Sequence, residues 1–310
     1  MRVLVLGGNG FIGSHVVDAL LAAGHKVRVL DRAEDRFRGR LVGVEYALGA
    51  FDDIFLVAEA LTGIDVVFHA ISTTVPSTSN LDSVGDIQSN LVGAIKLVEL
   101  MLDNGVSRIV YLSSGGTVYG NASMSSIPEN HPLHPVCSYG IVKIAIENYL
   151  YMYQELRGLK PLVLRASNPY GERQGHQGVQ GVIGTFLSKA LNKEHIEIWG
   201  DGGVVRDYIY VGDLARMCFK AIEGETCGVF NVGSGVGTSL REVLECIESV
   251  SGVSLPVEYK PARDFDIARV VLDITNVKRA FNWSPSVGLH QGIKSTWQWM
   301  NNDLLGMGRG

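Results

Sequence analysis

The sequence predicts an α/β fold in which a doubly wound parallel sheet carries a smaller α/β lobe. Apolar runs rich in β-branched residues alternate with segments of helical period from Arg2 to Ala166, and strands separated by helices in this way pair in parallel. A glycine-rich turn joins the first strand to the first helix. After Gly171 the chain becomes polar and glycine-rich and its elements shorten, which indicates the second lobe.

The individual elements follow from the period of the apolar residues. Buried parallel strands form continuous apolar runs, whereas a helix repeats its apolar face every ~3.6 residues. Strands are predicted at Arg2–Leu6, Lys26–Leu30, Ile64–Ile71, Ser107–Leu112, Pro161–Ala166, Ile196–Trp199 and Pro256–Lys260. Helices are predicted at Ser14–Ala23, Gly85–Asn104, Tyr139–Leu156, Val182–Leu191, Ser239–Val250 and Leu289–Asn301, with a disordered tail at 304–310.

The first turn is a candidate dinucleotide site. Gly7, Gly10 and Gly13 lie between a strand and a helix, and the next strand ends at Asp31. Glycines let the backbone approach a pyrophosphate, and the helix N-terminus favours its charge. Asp31 would accept hydrogen bonds from the adenosine ribose and repel a 2′-phosphate, although the neighbouring Arg32 could accommodate that phosphate. The pattern therefore predicts NAD as the cofactor.

The other candidate residues are brought to the same edge of the sheet, because ligands of doubly wound sheets lie at the carboxyl ends of the strands. Those ends carry Gly7, Asp31, His69-Ala70, Ser113-Ser114 and Ser167-Asn168.

Tyr139 and Lys143 are a candidate acid/base pair. They are four residues apart at the head of a predicted helix, so both side chains lie on one face, one turn apart. A phenol ionises near pH ~10, and an adjacent ammonium favours the phenolate. We therefore expect Lys143 to lower the pKa of Tyr139, so that Tyr139 can take a proton from a hydroxyl group of a substrate. A core tyrosine with a solvated lysine is the alternative.

Composition narrows the class of protein. The chain has 310 residues, 46% apolar and 19% charged, with a net charge of −5. Without a basic stripe, nucleic acid is not an expected partner. Four scattered cysteines suggest free thiols and no metal site. No apolar run is long enough to span a membrane, and a cytoplasmic protein is expected.

Taken together, these motifs resemble the extended short-chain dehydrogenase/reductase family, within it the nucleotide-sugar epimerase/dehydratase branch. The resemblance runs from Arg2 to about Trp299. Its marks are Gly7-x-x-Gly10-x-x-Gly13, Asp31, Asn90, Ser113-Ser114, Thr117-Val-Tyr119-Gly120, Tyr139-x-x-x-Lys143, Arg165-x-x-Asn168-Pro169, Trp199-Gly-Asp-Gly, Val205-Arg206-Asp207-Tyr208, Arg263-x-x-Asp266 and Phe281-Asn-Trp-Ser-Pro285.

The resemblance implies a Rossmann-type NAD-binding domain at 1–167, rejoined by about 207–232 and 270–280. The substrate lobe would comprise 168–206, 233–269 and 281–303. The dinucleotide would be held by Gly7, Gly10, Phe11, Ile12, Gly13, Asp31, Arg32, Phe51, His69, Ala70, Asn90, Lys143 and Pro169. The UDP-sugar would be held by Thr74, Asn168, Val182, Trp199, Arg206, Arg263 and Asp266.

Two departures from the family pattern concern the chemistry. The position after Ser114, where the family usually has a catalytic Ser or Thr, is Gly115. We expect Thr117 first, and Ser114 or Ser113 otherwise, to hydrogen-bond the sugar O4. The Asp-Glu pair of the dehydratase branch is replaced by Gly116-Thr117, which argues against dehydration.

The activity that the resemblance implies is 4-epimerisation of a UDP-hexose through a 4-keto intermediate, with tightly held NAD. A UDP-glucuronate 4-epimerase is an alternative if Arg173 and His176 face a C6 carboxylate. An NAD(P)H-dependent 4-keto-sugar reductase and a non-catalytic dinucleotide sensor are the others. A homodimer, paired through helices Gly85–Asn104 and Tyr139–Leu156, is a family expectation.

Overall fold

The computed structural model describes residues 1–174, 181–262 and 267–307. The strands are β1 Arg2–Leu6, β2 Lys26–Asp31, β3 Val44–Leu48, β4 Val66–His69, β5 Arg108–Ser114, β6 Lys160–Ala166, β7 Asn168–Tyr170, β8 Ile196–Trp199, β9 Val205–Tyr210, β10 Gly228–Val232, β11 Gly237–Ser239, β12 Val257–Lys260 and β13 Arg269–Val270. The α-helices are α1 Phe11–Ala22, α2 Ile54–Leu61, α3 Ser83–Asp86, α4 Gly93–Asp103, α5 Ser138–Arg157, α6 Val182–Asn192, α7 Val211–Glu223, α8 Leu240–Ser251, α9 Thr275–Phe281 and α10 Leu289–Met307. A π-helical segment, Ile87–Val92, joins α3 to α4.

The central sheet has seven strands in the order β10-β6-β5-β4-β1-β2-β3, and each neighbouring pair is parallel. Both of its faces are covered. Val3 and Val5 of β1 enter a core shared with α1 and α7, whereas Leu4 and Leu6 enter a core shared with α2, α4 and α5. This double burial explains the continuous apolar run of β1 and confirms the predicted doubly wound sheet.

The smaller lobe begins where β6 ends. Strand β9 pairs in parallel with β7 and β13 and antiparallel with β11, and β8 pairs in parallel with β12. Helices α6, α8 and α10 pack on these strands through a separate core that includes Leu187, Ile198 and Ile247. The chain leaves the sheet after β6 and returns to it as β10, within the segment 207–232 that was expected to rejoin the first domain.

Several elements differ from the sequence prediction. The strands β3, β7, β9, β10, β11 and β13 and the helices α2, α7 and α9 were not predicted. The predicted helix Gly85–Asn104 is interrupted by the π-helical segment. Helix α10 continues to Met307, into the predicted tail. Among the residues described, no helix is long and apolar enough to cross a membrane.

Candidate active site

The glycine turn packs closely against the start of α1 and leaves the helix without a side-chain cap. Gly7 has a φ of +80°, a conformation that favours glycine. A Cβ on Gly13 would lie 2.0 Å from the Gly7 carbonyl oxygen, so no side chain fits there. Gly10 precedes α1 without a side-chain cap, and Phe11 and Ile12 form its first positions. The first backbone N–H groups of α1 therefore suit an anion.

Asp31 ends β2 beside this turn. One of its carboxylate oxygens accepts a hydrogen bond from the Asn9 N–H at 3.0 Å, and the other accepts one from the Arg32 N–H at 2.8 Å. A carboxylate can accept further hydrogen bonds, so it has capacity left for the two hydroxyls of a ribose. The Arg32 side chain is exposed. These features fit a dinucleotide without a 2′-phosphate.

His69 and Ala70 lie at the end of β4, next to β1. The Ala70 N–H donates to the Leu6 carbonyl at 3.0 Å, which brings this strand end against the glycine turn. The His69 ring is buried between the rings of Phe51 and Tyr111. Neither ring nitrogen has a hydrogen-bond partner among the residues described. Burial and the nearby Lys143 lower the pKa of His69 to about 3, so its imidazole is neutral.

Tyr139 and Lys143 begin α5 and lie one turn apart, as predicted. The buried Lys143 Nζ is 5.4 Å from the centre of the Tyr139 ring and donates to the Leu112 carbonyl at 3.0 Å. Burial lowers the pKa of Lys143 to about 8, against the opposing charges of Glu147 and Asp86.

The pKa of Tyr139 corrects one prediction. Burial raises it to about 12, and the charges of Cys137 and Asp86 add to this rise, whereas hydrogen bonds with Ser114 and Ser72 lower it. The expectation that Lys143 lowers this pKa is wrong for the protein alone, because desolvation of the phenol outweighs the other influences. Ser72 was not predicted, although it follows the end of β4 closely and the rule of strand ends could have found it.

The hydroxyl groups after β5 take different positions. Ser113 is buried and donates to Glu147, whereas Ser114 hydrogen-bonds Tyr139. The Thr117 hydroxyl is buried and has no partner among the residues described. A Cβ on Gly115 would lie 2.5 Å from Leu272 Cδ1, so this position faces the core. The hydroxyl group beside Tyr139 therefore belongs to Ser114 and does not come from position 115, where the family usually has a Ser or Thr.

Thr74 and Asn90 form part of a hydrogen-bonded wall beside α5. The Thr74 hydroxyl donates to Asp86 Oδ1 at 2.8 Å. Asn90 accepts from the Thr73 N–H at 3.0 Å and donates to Asp86 Oδ1 at 2.9 Å. Thr74 and Asn90 were predicted to contact ligands. In the structure, their side-chain polar groups form hydrogen bonds with other residues of the protein. Asp86 was missed, since nothing in the sequence distinguishes it within a predicted helix.

The smaller lobe contributes a cavity of about 350 Å³. The residues of β7, which follow the end of β6, form part of its lining. Some of the lining residues were predicted to bind the substrate, and others were not predicted. The lining includes Asn168, Pro169, Tyr170, Val182, Glu197, Trp199, Arg206 and Tyr208. Arg206 donates to the carbonyls of Val205 and Ile267 at 2.9 and 2.7 Å. Arg263 and Asp266 lie outside the described residues.

The Arg173 side chain contacts α1. It pairs with Asp18 at 2.7 Å and hydrogen-bonds His15 at 2.8 Å, and both of these residues belong to α1. It therefore joins the loop after β7 to the helix of the glycine turn. His176, proposed with it for a C6 carboxylate, lies outside the described residues.

Comparisons with known proteins agree with this geometry. A model of the NAD dependent epimerase/dehydratase family matches residues 3–233. A putative UDP-glucose 4-epimerase of Methanocaldococcus jannaschii is 34% identical over 97% of this chain and 99% of its own. The UDP-glucose 4-epimerase of Thermotoga maritima with UDP-glucose has a TM-score of 0.92 and 34% identity, covering 98% of this chain and all of its own. The Thermus thermophilus UDP-glucose 4-epimerase with NAD has a TM-score of 0.91 and 36% identity, covering 97% and 99%. The chain therefore belongs to the NAD-dependent epimerase/dehydratase family.

Proposed function

We propose that this protein interconverts UDP-hexoses that differ in configuration at C4, with NAD held at the carboxyl edge of the sheet. The observation that carries the proposal is the contact between Tyr139 and Ser114, beside Lys143. The end of β5, which carries Ser114, lies at the same edge of the parallel sheet as the dinucleotide-type turn after β1. The chain that leaves the sheet after β6 lines a cavity of about 350 Å³.

The chain's own residues support this chemistry. Tyr139 would take the proton of the 4-hydroxyl group. It would return this proton after the 4-keto sugar has rotated to present its other face. Bound NAD would supply the acceptor and donor of the C4 hydride, and the positive charge of its oxidised ring would favour the Tyr139 phenolate over the phenol. Ser114 would donate to O4 of the keto sugar, where negative charge develops.

Other residues would hold the two ligands. The glycine turn and Asp31 would bind the pyrophosphate and the adenosine ribose, and Lys143 the nicotinamide ribose. Arg206 would bind the substrate diphosphate, since a guanidinium offers paired donors. Trp199, which is 40% exposed at the cavity, would pack against the uracil. A diphosphate held in this way lets the keto sugar present its other face.

A panel of UDP-sugars tests the activity without added reductant. We expect conversion of UDP-glucose to UDP-galactose, or of the N-acetylated pair, by the protein as purified. The Tyr139→Phe variant should retain its nucleotide and lose turnover by at least about a hundredfold. Turnover only with added NAD(P)H would favour the reductase. Conversion of UDP-glucuronate alone would favour that substrate, and nucleotide binding with no turnover would favour a sensor.

We also propose that two copies associate through α5. Its exposed apolar residues Ile141, Tyr149, Met152 and Leu156 recur at helical spacing and form a stripe, which suits a second copy of the same helix. Light scattering of the purified protein should give a dimer, and Met152→Glu with Leu156→Glu should give a monomer. A monomeric parent, or a variant that remains a dimer, would refute this interface.

A further inference from the structure

Asp86 is a buried carboxylate at the end of α3, with a relative exposure of 1%. Its Oδ1 accepts hydrogen bonds from the Thr74 hydroxyl at 2.8 Å and the Asn90 amide at 2.9 Å. Its Oδ2 accepts one from the Ser138 hydroxyl at 2.7 Å. All three donors are neutral, so each satisfies the carboxylate without cancelling its charge.

These hydrogen bonds join two segments that meet at Tyr139. Ser138 is the first residue of α5 and precedes Tyr139 directly. Cys137, at the N-cap position, provides no side-chain hydrogen bond to the helix. Instead, the Ser138 N–H donates to Asn80 Oδ1 at 2.8 Å, from the same β4–α3 connection that contains Thr74. The start of α5 is therefore fixed by side chains from outside the helix.

We propose that Asp86 is a positioning residue for the 4-epimerase reaction, which holds the start of α5 against the β4–α3 connection and sets, through its charge, the pH range in which Tyr139 and Lys143 act. The proposal rests on the assigned role of Tyr139.

The electrostatic part follows from the place of Asp86, whose carboxylate accepts a hydrogen bond from Ser138, the residue next to Tyr139. The negative charge of Asp86 raises the pKa of Tyr139 and that of Lys143. The other influences on Tyr139 are burial, the Cys137 thiol and the hydroxyls of Ser114 and Ser72. Glu147 acts on Lys143 from the next turn of α5. Among the residues described, His69 from β4 interacts with Lys143, and Tyr111 from β5 interacts with Tyr139.

The Asp86→Asn variant removes the charge and keeps the shape. The amide oxygen can still accept from Thr74 and Asn90, and the amide nitrogen can donate to the Ser138 hydroxyl. Less negative charge lowers the pKa of both Tyr139 and Lys143. The acid and alkaline limbs of the pH profile of kcat/KM should therefore both move to lower pH, by about half a unit or more.

A matched control is Asp82→Asn, on the same helix. Asp82 is exposed and caps α3 by accepting the Gly85 N–H at 2.9 Å, a task that asparagine performs equally well. Its profile should coincide with that of the parent. The electrostatic part would be overturned if the two limbs of the kcat/KM profile of Asp86→Asn stayed in place. It would also be overturned if the profile of Asp82→Asn moved as far as that of Asp86→Asn.

The Ser138→Ala variant removes the hydrogen bond from Ser138 to Asp86 and keeps the negative charge of Asp86. We expect a loss of several-fold in kcat with the limbs unmoved, and an unchanged kcat would overturn the positioning role. This variant decides the positioning role if Asp86→Asn does not fold. Tyr139→Phe in the same series keeps the two hypotheses separate, because turnover in that variant would refute the role of Tyr139 and not the geometry at Asp86.

Discussion

The ion pair between Glu147 and Arg165 links the stability of the fold to its chemistry. The two groups are 2.6 Å apart, and each side chain is 6% exposed. Glu147 also accepts the hydrogen bond from Ser113 and lies one turn beyond Lys143. The Glu147→Gln variant keeps the size and most of the hydrogen bonding but leaves the guanidinium of Arg165 without a counter-charge.

The cost follows from this burial. Removing one charge of a buried pair destabilises a protein by about 3–5 kcal/mol. With the usual unfolding entropy per residue, this cost lowers the Tm of a chain of this length by about 5–8 °C. The variant should also affect Lys143. Burial lowers the pKa of Lys143 to about 8, and the negative charge of Glu147 opposes this decrease. That ammonium would lose its proton at lower pH, so the alkaline limb of kcat/KM moves down while the acid limb stays in place.

Calorimetry and a pH series of initial rates measure both effects. The control is Glu45→Gln, whose partner Arg28 is 2.5 Å away but whose side chain is 53% exposed. Exposed pairs contribute only about 0–1 kcal/mol, so this variant should melt within about 2 °C of the parent. If Glu147→Gln melts as high as that control, the reasoning from burial is refuted. An unmoved alkaline limb would refute the link to Lys143.

Three further predictions follow from the site. Ser114→Ala should slow hydride transfer in a single turnover, measured by NADH absorbance, by about a hundredfold, whereas Thr117→Val should stay within a few-fold; the reverse order would restore Thr117 as the donor to O4. Gly115→Ser, which forces a side chain against Leu272, should cost about 1–3 kcal/mol in urea unfolding and give no gain in rate; a faster enzyme would contradict the core-facing geometry. Denatured protein should release NAD, and Asp31→Ala should reduce the amount retained; released NADP would contradict the role of Asp31.

The sequence predicted the sheet best where its strands are buried on both faces. β1, β4, β5 and β6 are continuous apolar runs, and their order with the helices defines a doubly wound sheet. β3 is at the edge of the sheet and only partly buried, so its apolar signal is weak. α2 is apolar on most sides, which hides its helical period. The π-helical segment depends on tertiary contacts that no local pattern records.

The site divides in the same way. Tyr139, Lys143 and Asp31 are recognisable because each has a fixed place relative to a strand or a helix. The choice between Ser114 and Thr117 depended on the conformation at Gly115, which packs against Leu272, a residue far away in sequence. The pKa of Tyr139 was mispredicted because sequence spacing reports neighbouring charges and not desolvation. Asp86 could not be found, since its partners come from three separate segments.

The place of β10 in the sheet has a consequence for synthesis of the chain. β10 covers the outer edge of β6, with Gly228 beside Leu162, yet the ribosome completes the smaller lobe's first elements before it reaches β10. At about 5–20 residues per second, the edge of β6 stays bare for several seconds. An uncovered strand edge can pair with another chain. Slow codons between β6 and β10, or truncation before Val232, should therefore favour aggregation over folding during translation.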